Sequence, residues 1–117
     1  MAEAQEKIPE RLKPMLEELT EEFKEVLKRS GVQGNASILL HTASLYGASR
    51  MMAYALGRRC EEQTARVLRL AKEELDRTAN LSEGKEEEED RRRLLMRLAM
   101  LEVLIYQTAL HCAGLEN

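Results

Sequence analysis

Apolar residues recur along this chain at helical spacing, and two stretches have almost no polar side. Ile8, Leu12, Met15, Leu16, Leu19, Phe23, Val26 and Leu27 fall three or four residues apart, the mark of a helix with one buried stripe. From Ala36 to Leu56 the chain reads ASILLHTASLYGASRMMAYAL, with Arg50 as its single charge. Val67, Leu68, Leu70, Ala71 and Leu75 then line one side of a third helix whose other side is Arg, Lys and Glu. Leu94 to Cys112 returns to the nearly unbroken apolar pattern, interrupted by Arg97, Glu102 and Gln107.

Boundary residues divide this pattern into helices at about 9–30, 36–56, 61–79 and 86–113. Pro9 suits a first turn, whereas Pro14 either marks the start of the helix proper or kinks it. Ser30-Gly31 ends the first helix, with Gly31 as a left-handed C′ residue. Asn35 is a good N-cap for the second. Gly57 reads as the C′ residue of the second helix, with Arg58 and Arg59 beside its negative end. Glu61-Glu62-Gln63 reads as an acidic first turn after it, although Cys60 is a poor cap. The alternative is one continuous helix over about 35–78, giving three helices and a dimer. Met52, Leu56, Cys60, Thr64, Val67, Ala71 and Leu75 keep helical spacing through the turn and permit it. Asn80 to Lys85 forms the next loop, Glu86 to Asp90 an acidic helix start, and Gly114 the stop.

Four helices with short loops predict one all-α domain over residues 1–117, an antiparallel up-down four-helix bundle. The second and fourth helices then run parallel, on a diagonal. Both carry more apolar surface than one partner face covers, so a ligand, a second subunit or a membrane is expected to cover the rest. Membrane spanning is disfavoured: Ala36–Leu56 has the length, but its Ser, Thr, His, Gly and Arg weaken it.

Composition narrows this further. Charged residues make up 33% and aromatic residues 3%, with no Trp, which is a soluble, helix-forming composition. The net charge of −3 argues against nucleic acid, because phosphate binding needs clustered surplus Lys and Arg. Arg91-Arg92-Arg93 follows Glu86–Asp90, which cancels its field. Residues 1–30 are highly charged and read as no signal peptide, so a cytoplasmic location is expected. Asn35-Ala36-Ser37 and Asn80-Leu81-Ser82 match the glycosylation sequon but read as helix boundaries.

The Glu/Lys/Arg-rich exposed faces, the Ser30-Gly31 and Ser82-Glu83-Gly84 loops, and the Glu86–Asp90 start resemble computationally designed helical bundles as a class. Leu115-Glu116-Asn117 resembles an expression-derived tail. The resemblance is to no specific natural family and carries no functional residues. The second helix departs from such surfaces, and departures of this kind often mark function.

No motif names a reaction. His41, Thr42, Tyr46, Ser49 and Tyr54, with Tyr106 from the fourth helix, could line a cavity for a small apolar ligand between helices two and four. A haem-type porphyrin with His41 as axial ligand is the concrete version. Small residues there equally suit a helix–helix interface, which makes self-association or a protein-interaction module the alternative. Met51, Met52, Met96 and Met100 would give that surface adaptability. A third reading is an enzyme with Glu102 or His41 as general base. Arg50 is expected to pair with Glu102. Ser37 and His41 lie at i, i+4, but no Asp or Glu is placed to orient the imidazole, which argues against a serine-hydrolase dyad. His41 and His111 are too far apart to share a metal within one chain. Cys60, His111 and Cys112 gather at one bundle end, and whether the two cysteines bond depends on their Cα separation.

Overall fold

The computed structural model describes residues 8–30, 36–81 and 88–114. These form four helices: α1 Leu12–Ser30, α2 Ala36–Leu56, α3 Glu61–Leu81 and α4 Glu88–Cys112. The chain is an all-α, up-down four-helix bundle. The expected Gly31 cap, the Asn35 N-cap, the loop beyond Leu81 and the final three residues lie outside the described residues.

The start of α1 and the end of α4 have local reasons. A turn precedes α1, with the Leu12 amide donating to the Pro9 carbonyl at 2.9 Å. Pro14 therefore falls in the first turn of α1, where its missing N–H costs no helical bond. α4 stops as the sequence indicates. Gly114 has φ of 74° and its amide donates to the His111 carbonyl at 3.1 Å, a left-handed cap.

The chain turns over residues 57–60, so the single long helix does not form. The expected left-handed cap at Gly57 is not used; among the described glycines only Gly114 has positive φ. Helical hydrogen bonds continue round the corner instead, from Gly57 to Ala53, Cys60 to Leu56 and Thr64 to Cys60. Gly57 is required by crowding. A Cβ there would lie 2.4 Å from the Ala53 carbonyl oxygen and 3.1 Å from Leu12 Cδ1. Gly57→Ala is expected to cost about 1–2 kcal/mol by overpacking, read as a lower midpoint in urea at unchanged slope.

Contacts fix the helix directions. Arg11 pairs with Glu62, Glu18 with Lys72, and Arg29 with Asn80, so α1 and α3 run parallel. His41 meets Glu102 and Cys60 meets Cys112, so α2 and α4 run parallel as well. Thr20 at Tyr46 and Leu12 at Gly57 make α1 and α2 antiparallel.

These parallel pairs are also the closest-packed ones. The diagonal placement expected for α2 and α4 is therefore corrected: they are direct neighbours. Two helices that are apolar nearly all round bury more surface against each other than across a diagonal. The result is flattened, with extents of 42 × 33 × 19 Å. Its radius of gyration is 14.7 Å, against about 13.4 Å for a compact chain of this length.

Candidate functional site

α2 sends its residues in three directions. Ile38, Thr42, Leu45, Ser49 and Met52 face the core. The hydroxyls among them are satisfied within their own helix: Thr42 donates to the Leu39 carbonyl at 2.9 Å and Ser49 to the Leu45 carbonyl at 2.8 Å. Tyr46 turns toward α1. Its ring stacks on Phe23 at 4.3 Å between centroids, and its hydroxyl is 2.8 Å from Thr20 Oγ1, which itself donates to Leu16.

Arg50 lies between two aromatic rings, 5.4 Å from the Tyr46 centroid and 5.6 Å from that of Tyr54. Hydrogen bonding to Tyr54 is the main cause that raises its pKa. The expected Arg50–Glu102 pair is thus not formed. Arg50 belongs to the α1 side of α2, whereas Glu102 is on the α4 side.

Glu102 meets His41 instead. His41 Nδ1 lies 2.7 Å from Glu102 Oε2, with the two side chains 36% and 15% exposed. The carboxylate is held in the α2–α4 seam while the imidazole reaches solvent. Tyr106 sits one turn past Glu102, on the exposed side of α4. The six residues expected to line a cavity are therefore spread over the core, the α1–α2 contact and the outer surface. One open groove between α1, α2 and α3 includes Tyr54 but none of the other five.

Neither a family model, nor a curated protein, nor a solved structure matches this chain.

The outer surface of α4 is the larger departure from a soluble helix. Met96, Met100, Val103, Leu104 and Leu110 are all 41% exposed or more. Met96, Met100, Val103, Gln107 and Leu110 step by four, three, four and three residues, the spacing of a coiled-coil seam. Beside them an open groove of about 600 Å³ runs between α3 and α4, with Leu70, Leu101 and Leu104 on its walls. By length and composition alone, α4 is also the one helix among the described residues that could cross a membrane.

Glu74 was not among the residues singled out from the sequence. It is buried on α3, where Arg97 Nε approaches it at 3.3 Å and Arg77 at 3.6 Å. Arg97 was the available signal, since a cation interrupting an apolar helix calls for a partner.

Cys60 and Cys112 are free thiols in contact with each other. Burial, aided by Cys60, pushes the Cys112 thiol up to about 11, which keeps it protonated and a poor nucleophile. Among the described residues no group of three or more His, Cys, Asp or Glu could hold a metal. His111 lies roughly 14 Å along α4 from Glu102, His41's partner.

Proposed function

We propose that this chain is a self-associating interaction module whose α4 stripe packs against the same stripe of a second copy. The carrying observation is the exposed seam Met96, Met100, Val103, Gln107 and Leu110 at alternating spacings of four and three. Spacing of this kind is what a second helix packs against in a coiled-coil seam.

A second copy suits it because the pattern nearly reads the same in reverse. Met96 and Leu110 lie seven residues to either side of Val103. A two-fold, antiparallel copy sets Val103 on Val103 and Met96 on Leu110, the isologous arrangement of a dimer. It also separates the two Arg91–Arg93 starts, which a parallel copy would bring together.

Sedimentation equilibrium tests it. The wild-type chain is expected as a dimer, and Val103→Glu as a monomer with unchanged helical circular dichroism. A wild-type monomer at every concentration would overturn the reading. So would flotation with lipid vesicles abolished by Val103→Glu, which would make the stripe a membrane surface.

A further inference from the structure

From the two cysteines at one end of the bundle we infer a reversible disulfide site. Cys60 and Cys112 close on each other by exchange with a small-molecule disulfide of the glutathione type. The bond clamps the turn between α2 and α3 to the end of α4.

Topology brings the pair together. α2 and α4 are direct neighbours running in the same direction, so the chain leaves both at the same end. Cys112 is the last residue of α4, and Cys60 is the last residue of the turn that follows α2. The two thiols meet there, and both are free. A second contact joins the same two segments: a Cβ on Gly114 would lie 3.5 Å from Arg59 Nη2. The turn therefore rests on the end of α4 through neighbours of both cysteines. A disulfide demands Cα atoms within about 7 Å, and both cysteines stand at helix ends, where the backbone shifts at least cost. They are the only cysteines in the chain, so a bond within one chain has a single solution.

Their surroundings give the two sulfurs different roles. Cys112 is 5% exposed, and burial, aided by Cys60, holds its thiol up at about 11. A buried, protonated thiol does not engage an outside disulfide. Cys60 is half-buried and meets it first. The Arg59 guanidinium acts on Cys112 in the opposite sense to burial and favours its thiolate, the form that the second step requires.

The exchange conserves atoms and electrons. Cys60 Sγ, as thiolate, attacks one sulfur of the small disulfide, whose S–S bond breaks as one thiolate leaves. Cys112 Sγ then gives up its proton and attacks Cys60 Sγ, forming the protein disulfide and releasing the second small thiol. The protein loses two electrons and two protons, and the two released thiols carry them. Excess small thiol runs the sequence backwards.

Nearly half of the chain lies between the two positions. A bond closing so long a loop restricts the unfolded chain more than the folded one. Oxidation is therefore expected to raise the ratio of folded to unfolded chain roughly tenfold or more. Nothing in this depends on self-association through the α4 stripe.

The test uses the full chain, reduced and then equilibrated with glutathione buffers of rising disulfide content. Peptide mapping is expected to find a glutathione adduct on Cys60 first. An intrachain Cys60–Cys112 disulfide should follow, reversed by dithiothreitol, with the urea midpoint rising and falling alongside. Cys112→Ala should stop at the Cys60 adduct, and Cys60→Ser should take up no glutathione while folded, with helical circular dichroism confirming that both variants fold. The wild-type map decides without either variant. A fully oxidised wild-type chain that carries only glutathione adducts, or only disulfides between two chains, overturns the inference. So does a first adduct on Cys112, or an oxidised chain no more resistant to urea than the reduced one.

Discussion

Leu45→Ala is expected to lower the unfolding free energy by about 3–4 kcal/mol, while Leu40→Ala changes it by less than about 0.5 kcal/mol. Both leucines are in α2, little more than a turn apart, in a stretch that reads as apolar nearly all round. Leu45 is fully buried and Leu40 is 68% exposed. Truncating Leu45 removes buried methyl and methylene groups and leaves a cavity that its neighbours fill only partly. Leu40 has no such surroundings to lose. Urea unfolding of the two variants at matched protein concentration checks this. Comparable losses at both sites would mean that Leu40 is covered in solution, and its surroundings would then need redrawing.

The same pair of residues marks how far the sequence could be read. Helix number, the turn at Gly57 and the stop at Gly114 were legible, because breakers act within a few residues, although the turn forms without the left-handed cap expected at Gly57. The amphipathic helices α1 and α3 were legible in their inward faces too. α2 and α4 were not, since a helix with little polar surface does not announce which side is inside. That ambiguity also misdirected the expectation about hydroxyls. Thr42 and Ser49 suggested polar handles in a ligand cavity, yet both bond to carbonyls in the preceding turn. A small hydroxyl residue can enter a core this way at low cost.

Long-range pairing was the other hidden quantity. Arg50 and Glu102 are the charges that interrupt the two apolar helices, so pairing them was a natural expectation. It fails because they lie on different sides of α2. The rings that meet Arg50 are its own neighbours one turn before and after it in α2, whereas the imidazole that meets Glu102 is set by the parallel packing of α2 on α4. Spacing within one helix cannot reveal that packing.

Glu74→Ala is expected to cost about 2 kcal/mol, and the double variant Glu74→Leu with Arg97→Leu to recover most of that loss. The carboxylate is 8% exposed and faces Arg97 at 3.3 Å across the α3–α4 contact. Removing one partner of a fully buried pair costs about 3–5 kcal/mol, because the remaining charge is stranded. Arg97 is 39% exposed and can turn partly to water, which places the expected cost below that range. Replacing both charges with leucines strands neither. It also extends the apolar groove formed by Leu70, Leu101 and Leu104, so the double variant should associate more strongly while remaining folded. A double-mutant cycle with the two single variants isolates the pair itself. A coupling near zero would mean that Glu74 acts through Arg77, 3.6 Å away on its own helix, and that α3 and α4 are held together by their apolar contacts alone.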